Sequence, residues 1–78
     1  MSKDAEFWRK EANEYFKTGK YGNALKLYDR ALRYNPEISV LYLNKSLTCL
    51  KVGAYYEAYK CAKIALDKDG GDREKALY

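Results

Sequence analysis

The sequence predicts an all-α fold made of two similar helical hairpins, and three observations support this prediction. Residues recur at a fixed offset of 34 positions, apolar residues recur at helical spacing within each copy, and a glycine interrupts each copy. The offset places Gly19 on Gly53 and Ala24 on Ala58. A repeat that keeps a glycine and small residues in register is typical of a helical repeat array.

The first copy is predicted to be a helix, a turn and a second helix. We expect the first helix over residues 5–17, with Ser2 or Asp4 as its N-cap, and the second over residues 21–34. Gly19 between them takes the left-handed conformation that follows a helix end. Small alanines on the facing sides let the two helices approach closely, and larger aromatic residues fill the space around that contact.

The second copy follows the same order. The Asn-Pro-Glu run at residues 35–37 is expected to end the second helix and to start a third, with Asn35 as the N-cap. This helix runs to residue 51, and the Val-Gly-Ala run at residues 52–54 repeats the earlier turn. A fourth helix is expected over residues 55–68.

The last residues begin a further pattern. After a loop at residues 69–72, a new apolar pattern stops at Tyr78, so we expect a fragment of a longer protein in which a third repeat follows. Without that repeat the fourth helix exposes an edge, through which the chain is expected to self-associate or to exchange helices. The candidate edge residues are Tyr55, Tyr59, Ala62 and Leu66.

Composition and charge restrict the function. With 78 residues the chain is one small domain, and 47% hydrophobic residues are too many for a disordered segment. No apolar run approaches the roughly 20 residues of a membrane span, and there is no signal-peptide core, so we expect a cytoplasmic protein with no membrane partner. The net charge of +4 favours acidic partners.

Neither a catalytic nor a metal site is indicated. The chain has no histidine, no glycine-rich phosphate loop and no paired carboxylates on one helix face. Cys49 and Cys61 stand on predicted helices, which indicates buried, reduced thiols rather than a disulfide framework or a zinc site. We therefore expect no enzyme activity, no cofactor and no metal.

The tyrosines and lysines are assigned to structure rather than to nucleic acid. Most of the nine tyrosines are expected in the repeat core, among them Tyr15, Tyr21, Tyr28, Tyr42 and Tyr55. The lysines expected on solvated outer faces are Lys10, Lys26, Lys60 and Lys63. Acidic residues are interspersed with them, which argues against the continuous basic stripe of a nucleic-acid binder.

The order of residues within the copies resembles the tetratricopeptide repeat (TPR) motif, a 34-residue helix-turn-helix unit. The first copy matches it at Trp8, Ala12, Tyr15, Gly19, Tyr21, Ala24, Tyr28, Ala31 and Pro36, and the second keeps Tyr42, Gly53, Tyr55, Ala58 and Ala65. The resemblance implies one TPR domain over residues 1–78, a fragment of an α-solenoid. Its repeats would cover about residues 5–38 and 39–72, with the start of a third at 73–78.

In TPR proteins the first helix of each repeat lines a binding groove. The groove face here would carry Glu6, Arg9, Asn13, Phe16 and Lys17 on the first helix, and Val40, Leu43, Asn44, Leu47 and Lys51 on the third. Charged donors, amides and leucines together suit an extended acidic peptide.

Part of this face resembles the TPR domains of heat-shock co-chaperones whose two-carboxylate clamp binds a C-terminal Glu-Glu-Val-Asp tail. Arg9 and Asn13 match its first pair, Asn44 matches the asparagine of the third helix, and Lys75 matches the lysine of the fifth. The arginine that follows in that subfamily would come directly after Tyr78.

The resemblance assigns a role to each of these residues. Asn13 and Asn44 would hold the terminal carboxylate, while Arg9 and Lys75 add positive charge. Leu43 and Leu47 would then take the aliphatic side chain of the peptide. The alternative is a TPR scaffold that binds another peptide or mediates self-association, and a nucleic-acid binder is a more distant third.

Overall fold

The computed structural model describes residues 4–69, which form four helices. They are α1 (Ala5–Lys17), α2 (Tyr21–Tyr34), α3 (Ser39–Lys51) and α4 (Tyr55–Asp69). Helix α1 packs on α2, α2 packs on α3, and α3 packs on α4, so two helical hairpins stack in chain order. The all-α prediction is confirmed. The predicted start of a third repeat at residues 73–78, which includes Lys75, lies outside the described residues.

The two hairpin turns have the same backbone geometry. Gly19 and Gly53 both adopt a φ of 81°. A Cβ atom at either glycine would meet nothing within 4 Å, so glycine is needed there for its backbone conformation and not for space. Equivalent hydrogen bonds close the turns, from the N–H of Lys20 to the Tyr15 carbonyl at 2.8 Å and from Ala54 to Cys49 at 2.9 Å.

The helix starts differ in how they are capped. Asp4 accepts a hydrogen bond from the N–H of Phe7 at 3.0 Å, as expected of an N-cap. Helix α3 begins at Ser39, so the prediction that Asn35 caps it was wrong. The Asn35 side chain instead accepts from the N–H of Glu37 at 3.1 Å. In this local turn the N–H of Glu37 already has a hydrogen-bond partner, and the helix begins only after the turn.

A cluster of small residues and one tyrosine joins α1 to α2. Ala12, Ala24, Tyr28 and Ala31 are all fully buried, and the cluster extends to Leu41 on α3. Three alanines at this contact bring the helices close enough for the Tyr28 ring to fill the space beside them. The two hairpins therefore share one core, which fixes α1 and α3 relative to each other.

The second hairpin repeats this contact with a polar variation. Ser46 stands at the place of Ala12, and its hydroxyl donates to the Ala58 carbonyl across α3 and α4 at 2.7 Å. Cys49 and Cys61 lie in the same hairpin, buried and free, as predicted. Burial raises the pKa of both thiols because it disfavours the thiolate.

Ion pairs link the hairpins at their edges. The Lys45 ammonium lies 2.8 Å from a carboxylate oxygen of Asp29, and that of Lys68 lies 3.2 Å from Glu37. Burial works to lower the pKa of Lys45, but the hydrogen bond and charge of Asp29 outweigh it and the pKa is raised. The first of these pairs connects α3 to α2 and so helps to fix the position of the second hairpin against the first.

The outer face of α4 is open among the described residues. Tyr55 is 69% exposed, so its expected place in the core was wrong, whereas Tyr28 is buried as predicted and Tyr15, Tyr21 and Tyr42 are half-buried. The predicted apolar edge is present, because Tyr59 and Leu66 are also exposed and only Ala62 is half-buried. Within residues 4–69 no helix is long and apolar enough to cross a membrane.

Candidate peptide-binding groove

Arg9 is engaged by a neighbour on its own helix. Its guanidinium donates two hydrogen bonds to the carboxylate of Glu6, one of them from Nε to Oε1 at 3.1 Å. The hydrogen bond from Arg9 lowers the pKa of Glu6, and the same bond raises the pKa of Arg9. A ligand carboxylate that approaches Arg9 must therefore compete with Glu6 for the guanidinium.

Asn13 is oriented by the second helix. Its half-buried side chain accepts a hydrogen bond at Oδ1 from the hydroxyl of Tyr28, which is fully buried on α2. Because the oxygen of the amide faces Tyr28, the Nδ2 group with its two hydrogens points the other way and is the available donor. The amide is thus set to donate, as recognition of a carboxylate requires.

Phe16 and Lys17 lie in different surroundings. Phe16 is only 8% exposed and packs edge-on against Tyr21, with 5.4 Å between the ring centroids. It therefore belongs to the core beneath α1 rather than to the groove surface, because its helical position turns it toward α2. Lys17 is exposed and lies 3.7 Å from a carboxylate oxygen of Glu14.

Asn44 has an unusual environment for a polar side chain. It is fully buried on α3, and neither its Oδ1 nor its Nδ2 atom has a hydrogen-bond partner among the described residues. Its main-chain carbonyl accepts from the Thr48 hydroxyl at 2.8 Å. The great majority of buried polar atoms in proteins form hydrogen bonds. An amide without such a bond therefore marks a position where a hydrogen bond to a ligand would be favourable.

Leu43 and Leu47 stand four residues apart and so share one face of α3. Both are half-buried, and Leu47 packs against the core cluster that contains Phe16 and Leu41. Their remaining exposed surface can accept an aliphatic side chain. Lys75, the last predicted site residue, lies outside the described part of the chain.

The structure places the two amides on the first helices of successive hairpins, and both helices pack on α2. The site offers hydrogen-bond donors and apolar surface. Two contributors were not predicted, namely Tyr28 as the orienting group of Asn13 and Glu6 as the partner of Arg9. The three-residue spacing of Glu6 and Arg9 would have revealed the second, but no local pattern reveals the first.

Comparison with known proteins agrees with this architecture. The family profile of the tetratricopeptide repeat matches residues 5–38. The chain is similar to human serine/threonine-protein phosphatase 5, with 39% identity over 67 residues that make up 86% of this chain. It is also similar to protein unc-45 homolog B of Xenopus laevis, with 38% identity over 90% of this chain. The Hsp70-Hsp90 organizing protein of Triticum aestivum shares 38% identity over 78% of it.

Each of these relatives is much longer than the matched region. The chain spans 13% of the phosphatase, 8% of the unc-45 homolog and 10% of the organizing protein. The similarity therefore concerns the repeat region alone, and the phosphatase activity in the first name is not carried over to this chain.

Proposed function

The chain belongs to the tetratricopeptide repeat family and is a protein-interaction module related to chaperone-associated TPR proteins, and we propose that it binds an acidic peptide. The group that the chain recognises is the free C-terminal carboxylate of that peptide. The ligand we propose is the Glu-Glu-Val-Asp type of tail carried by heat-shock chaperones. One relative is named for organizing Hsp70 and Hsp90, which supports this choice. The role is that of a co-chaperone or assembly factor in the cytoplasm.

The unpaired amide of Asn44 carries the proposal. A buried polar group without a partner has already lost its hydrogen bonds to water, so the bond that a ligand supplies is not offset by further desolvation of the protein. Charge strengthens such a bond, and a carboxylate is therefore a better partner for Nδ2 than a neutral group. Since Asn44 is fully buried without ligand, we expect the peptide to displace the side chains that cover it.

Asn13 supplies the second donor. Tyr28 holds its oxygen, so the Nδ2 hydrogens can be donated without prior reorientation of the amide. Preorganised donors bind more tightly than mobile ones because less side-chain entropy is lost on binding. Arg9 and Lys75 add positive charge, Leu43 and Leu47 take the aliphatic side chain next to the terminal residue, and Lys17 lies at the end of α1.

Calorimetric titration of the chain with a peptide that ends in Glu-Glu-Val-Asp tests the proposal. We expect amidation of the peptide C-terminus to weaken binding about tenfold to 150-fold, on the scale of one charged hydrogen bond. Asn44→Ala should have an effect of the same order. Asn35→Ala, which removes an exposed asparagine from the turn after α2, is the matched control and should bind as the unmodified chain does.

The same titration should be run on a chain extended through the third repeat. Failure of both chains to bind, or equal binding of the free and amidated peptides, would show that the proposed carboxylate recognition is wrong.

A second candidate function, self-association, is favoured by the open face of α4. Tyr55, Tyr56 and Tyr59 are each more than 60% exposed on this helix. Exposed aromatic surface is typical of an interaction site, and a second copy of the chain offers the same surface. Sedimentation over a range of protein concentrations tests this self-association. Tyr59→Glu is expected to keep the chain monomeric, whereas the control Tyr34→Glu, on α2, should associate as the unmodified chain does.

A further inference from the structure

A cleft between α1 and α2 contains a set of residues that the proposed function does not use. Its first part is a cavity of about 390 Å³ lined by Trp8, Arg30, Arg33 and Tyr34. Both arginines are exposed, and Trp8 is half-buried. Neither Asn13 nor Asn44 lines this space.

A second cavity continues the first along the same helices. It measures about 220 Å³ and is lined by Tyr15, Asn23, Lys26, Leu27 and Arg30. The two cavities share Arg30, and on α1 their aromatic residues Trp8 and Tyr15 stand seven residues apart, which is two helical turns. We call the two cavities together the cationic cleft.

The charge of the cationic cleft has one sign. Lys26, Arg30 and Arg33 line it, and no acidic side chain within residues 4–69 does so. Their spacing of four and three residues places them on one face of α2. None of the three has an ion pair with another described residue, whereas Lys17, Lys45, Lys60 and Lys68 each have one. Three adjacent unneutralised cations attract an anionic partner.

Trp8 forms a cation–π contact with one of the arginines. The Arg30 guanidinium lies 5.0 Å from the centroid of the Trp8 ring. Such a cation–π contact limits the motion of the guanidinium and leaves its N–H groups free to donate toward the open side of the cleft. Arg30 is therefore preorganised to bind a planar carboxylate.

We propose that the cationic cleft binds an acidic segment of a partner protein in extended conformation, with carboxylates at alternate positions. This site is independent of the groove around Asn13 and Asn44, and it does not require a free C-terminus. Lys26, Arg30 and Arg33 bind the carboxylates, and Leu27 and Tyr15 support the segment from below.

The spacing of the cations favours this ligand. The rise of about 1.5 Å per residue places the backbone positions of Lys26 and Arg30 about 6 Å apart, and those of Lys26 and Arg33 about 10.5 Å apart. In an extended peptide, alternate side chains lie about 6.6 Å apart on one side. Long lysine and arginine side chains accommodate the remaining difference, so three alternate carboxylates can be bound at once.

Single-stranded nucleic acid fits the cationic cleft less well. It needs a longer basic track and aromatic faces on which bases stack. The Trp8 face is covered by Arg30, and beyond Tyr34 the adjoining cavity is lined by Asp4 and Glu6, whose charges repel phosphates. The cationic surface is thus short, which suits a brief acidic segment better than a nucleic-acid strand.

The test uses the capped peptide acetyl-Gly-Glu-Thr-Glu-Thr-Glu-Gly-amide, which has no terminal carboxylate. Trp8 is the only tryptophan of the chain, so its fluorescence reports occupancy of the cationic cleft directly. We expect a saturable change in fluorescence on addition of the peptide, and the affinity derived from it should fall as the salt concentration rises. Affinity should fall about tenfold in Lys26→Gln/Arg33→Gln, which leaves Arg30 over the reporter.

Three controls make the outcome specific. Lys10→Gln/Lys63→Gln removes the same charge from other exposed positions and should leave affinity within about twofold, and Asn44→Ala should leave it unchanged. A peptide of the same composition with consecutive glutamates, acetyl-Gly-Thr-Glu-Glu-Glu-Thr-Gly-amide, should bind more weakly.

Several results would overturn the proposal. They are equal binding of the two peptides, equal losses in the two double variants, tighter binding of a short oligothymidylate than of the alternating peptide, or no change in Trp8 fluorescence. The first two would indicate non-specific charge attraction, and the third a nucleic-acid site.

Discussion

The hydroxyl of Tyr28 on α2 donates a hydrogen bond to Oδ1 of Asn13 on α1, fifteen residues earlier in the chain. Tyr28 is fully buried in the contact between the helices, so its ring cannot move without disturbing the core. The 34-residue offset places Leu47 and Ala62 at the equivalent positions of the second hairpin, where no such bond can form. Only the first hairpin therefore presents an amide whose orientation is set by its core.

Tyr28→Phe should weaken peptide binding more than it weakens the fold. Loss of the hydroxyl releases the Asn13 amide to rotate, and we expect binding of a Glu-Glu-Val-Asp-ended peptide to fall about fivefold to tenfold. Unfolding free energy should fall by only about 0.5–1.5 kcal/mol. The side-chain amide resonances of Asn13 in a two-dimensional NMR spectrum report the change directly.

Tyr42→Phe is the matched control for this change. It removes a hydroxyl that bonds to the Pro36 carbonyl at 3.0 Å, and it should alter neither the Asn13 resonances nor the preference for a free carboxylate. If Tyr28→Phe keeps the same ratio of affinities for free and amidated peptide, Tyr28 does not position Asn13 for binding.

Asn44→Ala should separate stability from binding. Removal of an unpaired buried amide relieves a penalty of about 1–3 kcal/mol, which offsets the small cavity that alanine leaves. We therefore expect the unfolding free energy to change by less than about 1 kcal/mol in urea titrations, while peptide affinity falls. A loss of stability above about 2 kcal/mol would mean that the amide is paired in the free protein, and it would contradict this account.

Glu6→Gln should strengthen binding of the acidic peptide. The substitution removes the charge that competes for the Arg9 guanidinium, and a surface pair of this kind is worth about 0.2–1 kcal/mol. The expected gain is about 1.5-fold to fivefold, measured by calorimetry. Glu11→Gln removes a charge from the same helix without freeing Arg9. An equal gain in affinity in that variant would mean that the change in net charge, and not the release of Arg9, causes the effect.

The buried thiols should make the fold less stable in alkaline solution. Burial raises the pKa of Cys49 and Cys61 above the ordinary value of 9.0, so the unfolded chain loses these protons first as pH rises. Their contribution to stability is complete below about pH 9 and is lost as pH rises through the raised values. We expect unfolding free energy, measured with reductant, to fall more steeply above pH 9 than in Cys49→Ala/Cys61→Ala. Parallel curves for the two proteins would contradict the assigned cause.

Local chemistry explains why much of the fold could be predicted. Gly19 and Gly53 occupy a backbone region that other residues rarely adopt, so each glycine located a turn whatever surrounded it. Ala12 and Ala24 indicated a close helix contact by their size and spacing, and both are fully buried. Where two local choices competed, prediction was less accurate. Asn35 can cap a helix or a turn, and it caps the turn.

The candidate site could be predicted only as a set of positions. Sequence placed Arg9, Asn13 and Asn44 on the first helices of successive repeats. It did not reveal that Phe16 turns into the core, because one residue of register on a helix separates a buried face from an exposed one. Of the three cations of α2, the sequence assigned only Lys26, to a solvated outer face, although helical spacing joins it with Arg30 and Arg33 in one cleft.

The sequence by itself determined that residues 4–69 form a pair of TPR hairpins, because propensity, spacing and turn chemistry act between residues close in the chain. Tertiary structure alone decided which way the Asn13 amide faces, that the buried amide of Asn44 has no hydrogen-bond partner within residues 4–69, and that Arg30 lies over Trp8. Each of these depends on side chains from different helices, whose rotamers are selected by packing between the helices and not by sequence spacing.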